Sequence, residues 1–353
     1  MTTAVLLLTL LAVEPASKTE AKHDSIAVGH RLDVHTQPAD QHPEFGGDLS
    51  SAMIEQGWLS LYDGNTTFGW TGSKVEERVV AVSGGRDAKR QTLVGGRTTT
   101  RWCGKLAFRL QVESAGSFVY GDRKQELTVG WRYFEIDAAE PTVLALADGL
   151  AVSSLAMRFS IAPLEEASWR VIKHPRNSSD KQTRWSFAKE SVRAVGGPGC
   201  VELQDRLLGD FVLQAEVTTH RPLANGGIFF RAIPGDFMNG YEAQIFNGCL
   251  DQDPARPSKW STGAIDDRQN ARRVVSRDGT PFSYTINADG PHIAVWINGY
   301  QQVDWTDERP EDDNARKGRR TKPGALQLQA HDAETDVEFA NVRIQSLDER
   351  EFR

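Results

Sequence analysis

From residue 58 onward the chain repeats one pattern: short runs in which apolar and polar side chains alternate, punctuated by Gly, Asp and Asn. The runs at 106–112, 211–217, 227–231, 241–247, 292–297, 325–331 and 337–344 all show it. Alternation of period two turns every second side chain toward one face, so each run predicts a strand with one face in a core. Turn residues between the runs predict antiparallel neighbours, the pattern of a β-sandwich. Asn298-Gly299, set between two such runs, predicts a two-residue hairpin turn. Long amphipathic helical stretches are absent; one helical turn at 265–274 is the most the pattern allows.

The pattern occurs twice. Residues 77–84 (ERVVAVSG) match 190–197 (ESVRAVGG), Gly104-Lys105-Leu106 matches Gly209-Asp210-Phe211, and Gly116-Ser117-Phe118-Val119-Tyr120 parallels Gly227-Ile228-Phe229-Phe230-Arg231. Two units of like strand order follow, at 56–164 and 165–348.

Parity then picks out one face of the second unit. In 325–331 Gln327, Gln329 and His331 point one way, in 241–247 Glu242 and Gln244 do, and in 227–231 Phe229 and Arg231 do. If these strands are neighbours, their polar side chains meet. Amides with one Arg, one Glu and one His suit sugar hydroxyls better than the Lys, Thr and Glu of an ordinary outer face, although a solvated polar face is common in antiparallel sheets. Each residue has a plainer reading as well: Glu242 and Arg231 as an ion pair, His331 as a partner of the turn that follows it. No second carboxylate is evident on this face.

The segment 247–280 is too long for a simple hairpin. Within it Trp260 can stack on a pyranose or lie in the core, and Arg272 and Arg273, with Arg268, can clamp an acidic group or form a solvated charge run. Asp251 and Asp253 could hold a divalent cation such as calcium through oxygen ligands; the pattern leaves the metal undetermined.

The motifs resemble a known family. Gly57-Trp58-Leu59-Ser60-Leu61-Tyr62-Asp63-Gly64 followed by Gly69-Trp70, and then in the second unit Gly209-Asp210-Phe211, 225–231 (NGGIFFR), 240–245 (GYEAQI), Trp296-Ile297-Asn298-Gly299 and 324–329 (GALQLQ), fall in the order of the 3-keto-disaccharide hydrolase family. The resemblance covers nearly all of 170–347. It implies an all-β chain of two concanavalin/jelly-roll-like antiparallel β-sandwich units, and action on glycosides oxidised at C3 through C2 proton abstraction, elimination and hydration. Glu242 or His331 would then be base or acid and Arg231 the stabiliser of the developing oxyanion, with Gln244, Gln327, Gln329, Trp260, Arg272 and Arg273 binding substrate. The first unit lacks the G-x-E-x-Q strand and is expected to be non-catalytic. A non-catalytic carbohydrate-binding module and a structural or adhesive protein remain as alternatives.

Charge and composition narrow the partners. With a formal net charge of -7 and Lys and Arg scattered among acids, the chain offers no broad basic surface for nucleic acid. Three Cys, at 103, 200 and 249, fit neither a disulfide framework nor a metal spacing. Residues 4–13 (AVLLLTLLAV) form an apolar run of signal-peptide length, too short to span a bilayer, so 1–21 reads as an atypical signal peptide of an exported protein and 22–55 as a linker or extended arm.

Overall fold

The structure is a computed structural model and describes residues 33–35, 49–82, 86–162, 164, 167–174 and 183–348. The predicted signal segment lies outside the described residues, as does most of the predicted arm. Of that arm, Asp33–His35 (β1) is a short edge strand, and Ser51–Glu55 is one turn of helix whose first orphan N–H, on Met53, bonds the Ser50 hydroxyl at 3.2 Å.

Apart from a 3-10 turn at Leu250–Gln252, everything else of regular structure among the described residues is strand, and all pairing within the sheets is antiparallel. The first unit comprises β2 (Trp58–Ser60), β3 (Trp70–Thr71), β4 (Lys74–Val82), β5 (Arg86–Thr98), β6 (Trp102–Ser114), β7 (Gly116–Tyr120), β8 (Arg123–Leu127), β9 (Gly130–Thr142) and β10 (Leu144–Phe159). The second begins with β11 (Trp169–Ile172), β12 (Arg184–Phe187), β13 (Ser191–Val195), β14 (Gly199–Leu203), β15 (Phe211–Thr219), β16 (Gly226–Ala232) and β17 (Tyr241–Ile245). It ends with β18 (Phe282–Asp289), β19 (His292–Ile297), β20 (Tyr300–Thr306), β21 (Ala325–Ala330) and β22 (Asp336–Ser346).

The second unit is a two-layer sandwich. A five-stranded sheet, β11-β14-β21-β16-β17, faces a seven-stranded sheet, β12-β13-β22-β15-β18-β19-β20, across one apolar core. The predicted hairpin is there: Asn298 and Gly299, at φ 49° and 75°, turn β19 into β20, which suits residues that tolerate a left-handed backbone.

In the first unit all strands belong to one hydrogen-bonded sheet, and β5 to β10 all supply side chains to one core, so the sheet curls about it. Phe108, Phe118 and Phe134 form its centre, with ring centroids 4.8 to 5.5 Å apart. The strand order is nevertheless that of the second unit. β10 pairs β7 through 144–147 and β6 through 151–159, as the separate strands β21 and β22 pair β16 and β15. Likewise β5 pairs both β4 and β3, as β13 pairs β12 and β14 pairs β11. Corners that the second unit makes by ending a strand are here made by bending one, at Gly95-Gly96 and Asp148-Gly149, all at positive φ. The repeat is therefore structural, with one correction of register. Parity aligns Gly116 with Gly226 rather than Gly227, because Leu127 and Ile245 opposite them both point to a core.

The two units are packed together. In β19, Ile293, Val295 and Ile297 enter the second core while Ala294 and Trp296 enter the first, so the seven-stranded sheet is buried on both faces where the units meet. Trp296 meets Trp102 edge-on at 5.4 Å. Around this apolar centre Arg101 forks onto Asp289, Thr99 bonds Asp304 at 2.7 Å and Ser60 N–H bonds the Gly299 carbonyl at 2.7 Å.

Candidate functional site

The outer face of the five-stranded sheet carries the predicted polar side chains. Pairing sets Cys200, Gln329, Gly227 and Gln244 in one row across the strands, and Glu202, Gln327, Phe229 and Glu242 in the next. Parity is the reason: Leu326, Leu328, Ile228, Phe230, Ala243 and Ile245 occupy the core-facing positions of the same strands. This is not a solvated face, since Glu242, Gln244, Gln329 and Glu202 are each 4% exposed and Gln327 is fully buried. Three segments cover it. The β16–β17 connection lays Met238 on Gln327, residues 263–266 pair along the free edge of β17, and Arg316 reaches in from the β20–β21 connection.

Glu242 is the chemically distinctive group. Its Oε2 accepts from Arg316 Nη1 at 3.0 Å, and the same nitrogen donates to Asp266 at 2.9 Å. Burial pushes the Glu242 carboxyl up to about 7; Arg316 opposes this, Asp266 adds to it, and His331 opposes it slightly. Oε1 turns the other way, over Gly227. A Cβ on residue 227 would stand 3.0 Å from Glu242 Oε1 and 3.1 Å from Gln329 Oε1, so a side chain there would press on both oxygens. His331 follows the last residue of β21 at the rim of the face, half exposed, with Nδ1 2.9 Å from Asp332. It is near enough for its charge to act on Glu242.

Other predicted residues are placed differently. Arg231 is not on the face. It sits at φ 46° where the β16–β21 register slips, so parity is broken and its side chain runs inward. There it is fully buried, donating to the carbonyls of Gly209 and Gly290 at 2.9 and 2.6 Å and to Asp210 at 2.8 Å, which makes it a cross-brace of the fold. Arg272 and Arg273 lie at the seam with the first unit instead: Arg272 bonds Asp63 at 2.7 Å and stacks on Phe68, and Arg273 lies over Tyr300. Gln327 shares the face but its amide is fully engaged, donating to Glu202 and the Asp236 carbonyl and accepting from Met238 N–H, so it pins the covering loop. Trp260 is 47% exposed, with Lys259 over its ring at 4.6 Å.

Two residues of the face were missed. Arg316 comes from the charged run 311–322, which carries no strand period; only its density of Arg and Lys marks it. Glu202 is a second buried carboxylate, held by Arg170, Gly235 N–H and Gln327. Parity of 199–203 would have found it had that run been read as a strand.

Among the described residues no three His, Cys, Asp or Glu side chains gather closely enough to hold a metal ion. Asp251 pairs with Arg256 and Asp253 caps the N–H of Ala255, so the two acids considered for calcium are engaged separately. No described helix is long and apolar enough to cross a membrane.

Fold and site together define an all-β, sandwich-built protein whose sheet face presents a buried acid among amides, an arrangement suited to carbohydrate. Residues 169–345 match the family model of the 3-keto-alpha-glucoside-1,2-lyase-like domain, half of the chain, and the chain belongs to that family of carbohydrate-active proteins. No curated protein matches. Among solved structures, a provisionally assigned glycosyl hydrolase from Parabacteroides distasonis shares 21% identity over 51% of this chain and 100% of its own, with a TM-score of 0.38. The carbohydrate-binding module CBM66 from Bacillus subtilis shares 14% over 52% of this chain and 100% of its own, at 0.37. Likeness at this level says nothing of substrate.

Proposed function

We propose that the second unit cleaves glycosides already oxidised to a ketone at C3. The ketone acidifies the proton on C2. Glu242 takes that proton, the C–H electron pair passes into the enolate, and Arg316 supplies positive charge near the developing oxyanion in the role first given to Arg231. The enolate pair then forms the C1–C2 double bond as the C1–O bond breaks, and the leaving group accepts a proton, a role we give to His331 at the rim. Water adding across the double bond, hydroxyl to C1 and proton to C2, completes a net hydrolysis.

One observation carries this reading: a buried carboxyl raised to about 7, with one oxygen anchored on an Arg and the other turned over Gly227 beside the Gln329 amide oxygen. Glu202 does not form a catalytic carboxylate pair with Glu242. Glu202 and Glu242 are three strands apart in one row, about 14 Å, against the roughly 5–9.5 Å such enzymes use. Glu202 is also fully engaged.

The test is incubation of the whole protein with a 3-keto glucoside in deuterated water. Deuterium should enter C2 and the aglycone be released, and Glu242→Gln should slow both by at least about 100-fold. Saccharide binding without exchange at C2 would instead make the protein a binding module.

A further inference from the structure

We propose that Gln329 reads the hydroxyl group on C2 of the substrate, so that the protein takes 3-keto glycosides with a free 2-hydroxyl and rejects their 2-deoxy counterparts. The inference rests on the role given above to Glu242.

Gln329 is 4% exposed. Its Nε2 donates to the Met238 sulfur at 3.4 Å, while its Oε1, buried, accepts from no group among the described residues. Buried amide oxygens are normally bonded, and one left bare is destabilising. Gln327, two residues earlier on the same strand face, shows the ordinary case, with both amide atoms engaged. Position decides what the missing donor is. Gln329 Oε1 and Glu242 Oε1 both stand about 3 Å from the point a Cβ of residue 227 would occupy, so they flank one space. Arg316, the cation of the site, directs its Nη1 to the other Glu242 oxygen and to Asp266.

The polar atoms nearest that point are both acceptors. The space between them calls for a fragment that offers an acidic C–H to one side and an O–H to the other from a single carbon. C2 of a 3-keto glycoside does this: its hydrogen goes to Glu242 and its hydroxyl to Gln329. A polar group built to meet a hydroxyl discriminates strongly against the analogue lacking it, because the buried acceptor is then left unpaired.

The experiment compares kcat/KM of the whole protein on a 3-keto glucoside and on its 2-deoxy counterpart, each corrected for uncatalysed elimination. The 2-deoxy compound keeps an acidic C2 proton and its leaving group, so the chemistry stays open to it. We expect it to be poorer by at least about 100-fold, and Gln329→Leu to bring the ratio within about 10-fold, chiefly by losing rate on the 2-hydroxy substrate. Equal turnover of both by the unaltered protein would overturn the role of Gln329 and leave that of Glu242 standing; turnover of neither would overturn both. The pH profile of Gln329→Leu gives a second readout. Loss of an acceptor beside Glu242 leaves its inflection in place or lowers it, whereas a rise would mean that the amide NH2 donates to the carboxylate, which overturns the proposal.

Discussion

The two units share a strand order and differ in what they place over it. Matching strands by pairing and parity sets Lys124 where the second unit has Glu242, Glu126 where it has Gln244, Ser117 where it has Gly227, and Ala147 where it has Gln329. In the first unit that face stays in water: Lys124, Glu126 and Asp148 are each more than half exposed and pair with one another around the Ser117 hydroxyl. In the second, covering segments bury the face, and a carboxyl that would be unremarkable in solvent is raised to about 7. A sandwich is a scaffold; the cover over one sheet makes the site. The first unit contributes by packing instead, against the opposite sheet of the second, and we expect it to carry no chemistry of its own.

The comparison can be broken at the seam. Trp296 is 1% exposed and fills the first core from a strand of the second. Trp296→Ala should cost about 3–5 kcal/mol, and the described units should then still unfold in one transition by calorimetry. Two separated transitions in the unaltered protein would show that the units are independent and that their contact is incidental.

Glu242→Gln should act on stability in the opposite direction. A carboxyl raised from 4.5 to about 7 on folding costs nothing below the unfolded value, where it is protonated in both states. The cost grows between about 4.5 and 7 and is complete above that, at roughly 3 kcal/mol. Denaturant melts should show the Gln variant more stable above pH 7 and equal to the parent below pH 4.5. A site selected for function carries such strain, and Lys124→Gln in the first unit should show no comparable pH dependence.

Smaller again are shifts in the activity profile. Turnover should rise through pH 7 as Glu242 loses its proton. Because Asp266 raises and Arg316 lowers that carboxyl, Asp266→Asn should move the inflection to lower pH and Arg316→Gln to higher. Shifts in the same direction would separate Glu242 from the base.

How much of this was readable in the chain follows from the same contrast. Period-two alternation located many of the strands, the hairpin at Asn298-Gly299 and four of the polar side chains of the face, because strand parity is local and rigid. It failed at Arg231, where a single positive φ reverses parity, and nothing in the strand pattern marks that reversal. It could not find Arg316, which reaches Glu242 across 74 residues from a segment without period. Arg272 and Arg273 were assigned by nearness in sequence to the face, and the seam between units claimed them. Cover and seam are long-range facts, and local pattern is blind to both.

The last prediction sharpens the comparison by expecting no effect at all. Lys124→Glu, combined with Glu242→Gln, places a carboxylate in the first unit at the position Glu242 holds in the second. If strand position alone made the site, this would restore C2 exchange. Lys124 is 54% exposed, however, so a carboxylate there stays solvated and keeps an ordinary acidity. Ser117 brings a side chain where Gly227 has none, and Ala147 offers no amide. Deuterium exchange should therefore remain at the level of Glu242→Gln alone. Recovery would mean that the covering segments are dispensable, and that the difference between the units lies in the strands themselves.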